Sequence, residues 1–112
     1  MNPGDIVVYS LPQADNRIKK RPVLLLKKLP GYNDWLVCGI SSQLHQYISG
    51  FDEKIDPQHP DFKSSGLFQS SVIRLSFLFT IPSHSFPGKI GYLSKTTTQK
   101  MIHNLIEFLK NS

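Results

Sequence analysis

An arginine opens one strand-like apolar run, Arg21-Pro22-Val23-Leu24-Leu25-Leu26. Two hydroxyls and an amide close another, Val37-Cys38-Gly39-Ile40-Ser41-Ser42-Gln43. Side by side in one sheet, the two runs bring a fixed cation and hydroxyl donors to a shared rim. Such a set suits the holding of a phosphate group. A guanidinium fork matches phosphate oxygens, and preorganised donors stabilise developing negative charge. The plainer roles stay open: Arg21 as a surface charge that blocks edge pairing, Ser41 and Ser42 as turn formers at a strand end. Arg74 interrupts a third apolar run, Val72-Ile73-Arg74-Leu75. Within a strand its charge must reach a face where it is solvated or paired, so both an outward and a ligand-facing position remain open.

Nothing else forms a complete catalytic set. The Gly-x-Ser-x-Gly elbow is absent. His45, His59, His84 and His103 are scattered without metal-ligand spacing, and there is no Gly-rich phosphate loop or Cys cluster. No cofactor and no metal is therefore expected. His45 follows Ser41 closely enough to approach the same site, although a loop histidine of this kind is often idle.

Charge points the same way as the arginines. Thirteen Lys and Arg against eight Asp and Glu give a net charge of +5. The positives cluster at Arg17, Lys19, Lys20 and Arg21, with Lys27 and Lys28 beyond the next strand. Clustering of this kind favours nucleic acid or an acidic protein segment as partner.

The elements that must position these residues fit one domain spanning 1–112 with a single core. An apolar fraction of 39% and a charged fraction of 19% describe a globular chain rather than a disordered one. The longest apolar run is far short of a membrane span. Met1-Asn2-Pro3-Gly4-Asp5 lacks the basic end and apolar stretch of a signal peptide. The single cysteine, Cys38, cannot form an internal disulfide and reads as a buried thiol, so a cytoplasmic protein is expected.

Pro3-Gly4-Asp5 feeds a strand over 6–10, followed by a long polar loop from Pro12 to Lys20. A second strand runs from about Arg21 to Leu29, with Pro22 near its beginning or on an edge because it lacks a ladder donor. Pro30-Gly31-Tyr32-Asn33 turns the chain into a third strand over 34–41, an antiparallel hairpin buried on both faces for part of its length. Residues 43–50 read as loop or a short helical turn, 51–55 as an edge strand, 70–81 as a strong strand and 89–93 as a short one. From Thr96 to Asn111, Met101, Ile102, Leu105, Ile106, Phe108 and Leu109 fall at helical spacing on one broad face. Thr96 and Gln99 match a capping box. Strands followed by a terminal helix imply a mainly β (α+β) fold, a small barrel or curled sheet with a packed helix.

In order and spacing, Pro3-Gly4-Asp5-Ile6-Val7, Arg21-Pro22-Val23-Leu24-Leu25, Ile40-Ser41-Ser42-Gln43, Ser71-Val72-Ile73-Arg74 and the helical C-terminus resemble the MazF/PemK toxin family over nearly the whole chain. The resemblance implies a small SH3-like, CcdB-like β-barrel with a C-terminal α-helix, and a homodimer. It implies a metal-independent endoribonuclease cutting single-stranded RNA, within a toxin–antitoxin pair whose antitoxin covers the site with a flexible acidic segment. The family's arginine falls on Arg21, its Thr/Ser on Ser41 beside Ser42, and an arginine of PemK-like members on Arg74. The PemK-like acid two positions later is replaced by Ser76. Cleavage would proceed by attack of a ribose 2′-hydroxyl on the adjacent phosphorus. Arg21 and Arg74 are then assigned to charge stabilisation, since arginine keeps its proton, and Ser41 to orientation. Asp15 and His45 are the base candidates. Arg17, Lys19, Lys20, Ser42, Gln43 and Ser76 join them as RNA-binding positions.

Two rival functions follow from the same features. One is a protein-binding inhibitor of a gyrase-like target, which has no need of the Arg21 and Ser41 pair. The other is a non-cleaving RNA- or DNA-binding module. Aromatics near the basic loop are few in the sequence, which disfavours binding led by base stacking.

Overall fold

The computed structural model describes residues 1–12, 14–86 and 88–111. β1 (Asp5–Pro12), β2 (Ile18–Lys28), β3 (Asp34–Ser41), β4 (Glu53–Ile55), β5 (Ser71–Pro82) and β6 (Lys89–Tyr92) form one sheet. Its order is β4-β5-β3-β2-β1-β6, and every pairing is antiparallel. The sheet is open at β4 and β6 and curls into a half-barrel. A short helix, α1 (Phe62–Ser65), precedes β5, and α2 (Lys95–Lys110) ends the described chain. The expected curled sheet with a terminal helix is the fold observed.

The pattern of each strand explains the curl. β2 and β3 carry unbroken buried runs, Val23–Leu26 and Val37–Ile40, because both their faces are covered. One face holds Ile6, Leu24, Leu26, Cys38, Ile40, Ile73 and Leu75 against Met101 and Leu105 of α2. The other holds Val7, Val23, Leu25, Trp35, Val37 and Ile81. Cys38 is fully buried, and burial, reinforced by the charge of Asp52, pushes its thiol pKa far up. It is packing, not a nucleophile.

Four local expectations are corrected. The stretch read as a long loop is largely a hairpin: β1 and β2 stay paired out to Pro12 and Ile18. β2 therefore starts three residues earlier, and Pro22 lies inside it rather than at its beginning. Proline is accommodated because the β3 ladder ends at Val23, so only β1 flanks it. The cap of α2 is Ser94, whose Oγ accepts the Thr97 N–H, and Thr96 lies inside the helix. The short helix α1 was not foreseen, since four residues carry no periodicity.

Asp61 fixes the start of α2. Its Oδ2 accepts from the Ser94 N–H at 3.0 Å and the Ser94 hydroxyl at 2.9 Å, while the residue is only 6% exposed. Burial alone would raise its pKa. Hydrogen bonds from Thr97 and Ser94, with the nearby charge of His59, outweigh that and hold it below the ordinary value of 3.8. Ionised Asp61 thus stabilises the fold fully above the unfolded-state value. That contribution fades as the pH drops from about 4 through the lowered folded-state value. Asp61→Ala is expected to cost ~1.5–3 kcal/mol at neutral pH and less at pH 3. Urea melts at the two pH values check this, and an equal loss at both contradicts it.

Candidate functional site

Strand register decides which of the proposed residues meet. Along β2, Arg21 alternates with Val23 and Leu25, so it lies on the face of the second cluster. Along β3, Ser41 and Gly39 alternate with Val37 on that same face. Val23 pairs with Gly39, and Gly39 pairs with Arg74 on the other side. The β2–β3 ladder ends at Val23 and Gly39, so Arg21 and Ser41, each two residues further on, lie on that face beyond the last pair. Tyr9 of β1 pairs directly with Arg21. Tyr9, Arg21, Ser41 and Arg74 therefore lie on one face, with Tyr9 opposite Arg21 and Arg74 opposite Gly39.

Each member is positioned by a local feature. The Ser41 Oγ accepts the Gln43 N–H at 3.0 Å, which fixes the oxygen and leaves its proton to donate elsewhere. Gln43 thus serves the site through its backbone. Gly39 is glycine because the ring of Phe77 lies against its α-carbon, where a Cβ would collide with it. That ring is brought there by a bulge in β5: pairing jumps from Gly39↔Arg74 to Cys38↔Leu78, and the residues between arch outward. Arg74 is half-buried, and its Nε is buried with no hydrogen-bond partner among the described residues. A buried donor left unpaired costs about 1–3 kcal/mol. An anionic oxygen above this face would satisfy it.

The basic residues lie in a separate groove at the rim, which shares Arg21 with this face but is not lined by Tyr9, Ser41 or Arg74. This groove, of about 670 Å³, is lined by Lys19, Lys20, Arg21, Pro22, Ser42, Gln69 and Phe68, over a floor that includes Val8, Ile40, Leu67 and Ile90. Ser42 is exposed there, beyond the strand end. Phe68 was not singled out in the sequence. Its one local signal is an aromatic, next to Leu67, within the serine-rich stretch 63–71.

Other sequence candidates lie elsewhere. Asp15 sits at the tip of the β1–β2 hairpin and is spent there. It accepts the Arg17 N–H at 3.0 Å and pairs with the Arg17 Nε at 3.6 Å. Ile18, already past the tip, is about 10 Å along the strand from Arg21. Arg17 is exposed at the same tip. His45 is exposed on a single 3₁₀ turn after β3. Ser76 lies on the β5 bulge and lines a different concavity of about 710 Å³ with Ile48, Phe51, Leu78, Leu105 and Phe108. That larger space is apolar, and Glu107 on its wall makes it a poor anion site. Tyr9, opposite Arg21, is the member of the arginine face that sequence reasoning missed; its place in the alternation Val7, Tyr9 on β1 was the available signal. Among the described residues no cluster of three or more His, Cys, Asp or Glu is placed to hold a metal ion.

The six strands form a small antiparallel β half-barrel with a C-terminal helix, one face of which carries two arginines and a strand-end serine. A family profile described as PemK-like, MazF-like toxin of type II toxin–antitoxin systems matches residues 2–109. The chain belongs to this family. Among solved structures, the Mycobacterium tuberculosis toxin MazF-mt6 superposes with a TM-score of 0.68 at 23% identity, covering 99% of both chains. That likeness shows the fold. No sequence among the curated proteins matches significantly. As a type II toxin, the protein has a cognate antitoxin as partner. No helix among the described residues is long and apolar enough to cross a membrane.

Proposed function

We propose that the protein is a sequence-selective endoribonuclease that cleaves single-stranded RNA. The observation that carries this reading is the placement of Arg21, Ser41 and Arg74 on one sheet face, with the Arg74 Nε buried and without a hydrogen-bond partner among the described residues. The ribose 2′-oxygen attacks phosphorus, the P–O5′ bond breaks, and the products end in a 2′,3′-cyclic phosphate and a 5′-hydroxyl. Negative charge builds on the non-bridging oxygens as the 2′-oxygen approaches. Arg21 and Arg74 stabilise it, and the Ser41 hydroxyl donates to one phosphate oxygen. The 2′-hydroxyl proton passes to water and the leaving 5′-oxygen takes a proton from water, while an arginine N–H hydrogen-bonds to that oxygen without giving up its proton. With Asp15 spent at the hairpin tip and Ser76 on the bulge, proximity and electrostatics provide most of the rate, which suits a slow nuclease.

The active unit is a homodimer. α2 buries Met101 and Leu105 but leaves Ile106, Phe108 and Leu109 exposed at 48, 61 and 68%, beside Leu78 at 38%. A second copy laid on this face removes that apolar surface from water. The acidic antitoxin segment binds the cations of the groove, competing with RNA. The free, buried Cys38 is in keeping with action in the cytoplasm.

Purified protein incubated with a mixed RNA in excess EDTA tests the nuclease. The account expects full activity, because the donor set is cationic and hydroxylic rather than metal-ligating. The ends should carry cyclic phosphates and 5′-hydroxyls. Activity that vanishes with chelator and returns with Mg²⁺ contradicts it.

A further inference from the structure

Phe68 leaves 97% of its surface in water, yet it does not sit on a loose loop. The Leu67 N–H donates to the Ser65 Oγ at 3.1 Å on one side, and the Ser71 hydroxyl donates to the Gln69 carbonyl at 2.9 Å on the other. Gly66 adopts φ +74° and lies so close to the Ile90 carbonyl that any Cβ there would collide with it. The backbone on both sides of Phe68 is thus fixed, and the ring is held out over a groove that also carries Lys19, Lys20 and Arg21. An exposed aromatic alone is an apolar liability. Beside three cations it is the combination that binds a single strand, with cations for the backbone and a π-face for a base. An acidic peptide would use the cations but has no need of a flat ring.

We infer that Phe68 is a stacking platform for one base of the RNA, next to the phosphate held at Arg21, and that it adds affinity and a modest base preference at that position. This inference rests on the nuclease reading above. Because the loop is already ordered, little freedom is lost when the base docks.

The test uses the full-length protein, a 2′-O-methyl RNA oligonucleotide of mixed sequence as uncleavable probe, and a long mixed RNA for end mapping. Phe68→Ala should weaken probe binding by about 5- to 150-fold and relax the base preference at one position of the cut site. Its thermal midpoint should stay unchanged, since the ring is exposed. Phe68→Trp should restore both properties, and its emission should be quenched by the probe. Wild-type emission should not be, because the only other tryptophan, Trp35, is 4% exposed. A wild type that cuts RNA alongside a Phe68→Ala variant with unaltered affinity and cut pattern overturns the platform and leaves the nuclease standing. A wild type that neither binds the probe nor cuts RNA overturns the nuclease reading and the platform with it. Loss of antitoxin binding without loss of RNA binding assigns Phe68 to the protein partner and also overturns the inference.

Discussion

Arg21→Ala is expected to lower RNA cleavage by about 10²- to 10³-fold, with the fold intact. The arginine lies at the rim, half-buried, directly opposite Tyr9. On the proposed mechanism it stabilises charge that develops on the non-bridging oxygens, and removing one such donor typically costs about 2.7–4 kcal/mol of barrier. No ion pair of the fold involves Arg21 among the described residues, so its loss exposes no buried partner. Arg21→Lys should recover only part of the rate, because an ammonium cannot bridge two phosphate oxygens in a plane. Single-turnover cleavage rates, read beside circular dichroism melts, check both variants. Wild-type rates in Arg21→Ala would remove Arg21 from the mechanism.

Asp52→Ala is expected to cost at least ~3 kcal/mol of stability and to weaken cleavage as well. Asp52 is only 3% exposed. Its Oδ2 accepts the Ile48 N–H and its Oδ1 the Leu75 N–H, each at 3.0 Å. Two charge-assisted bonds of about 1.5–3 kcal/mol are lost, and the buried Leu75 N–H is left without an acceptor. Leu75 follows Arg74 and begins the bulge that brings Phe77 over Gly39, so the carboxylate also holds one edge of the arginine face. Asp52→Asn should be less severe, since its amide oxygen can accept one N–H while its NH₂ opposes the other. Urea denaturation gives the stability, and cleavage measured well below the melting temperature gives the positioning effect. A variant as stable as wild type would show that Asp52 does not pin the bulge.

The parts legible in the sequence were those carried by pattern. Alternation and turn residues gave the β2–β3 hairpin, and helical spacing gave α2. The Val23–Leu25 and Val37–Gly39 runs were legible as neighbouring strands because a short turn, 30–33, fixes their antiparallel pairing, whereas the extension of β2 past Arg21 to Ile18 was not. What was hidden depended on contacts distant in the chain. Ser94 displaces Thr96 as the cap of α2 because Asp61, thirty-three residues earlier, accepts from it. The β5 bulge turns Ser76 away from the arginines, and no local pattern marks where a ladder slips. Phe68 joins the basic groove only because α1 and its glycine cap bring that loop beside β2 and β6. The exposed end of α2 reads as core in the sequence, since periodicity does not tell a face buried within the chain from one left exposed.

The central claim is that this face directs a ribose 2′-hydroxyl onto the neighbouring phosphorus. Once the cut site is mapped, it is tested by two oligonucleotides that differ at a single sugar. One is all RNA; the other has 2′-deoxyribose at the nucleotide on the 5′ side of the scissile phosphate. Incubated with wild-type protein in EDTA, the first should be cut to a cyclic phosphate end and the second should remain intact while still competing for binding. Equal cleavage of the two would contradict the account, because the nucleophile would then come from outside the substrate.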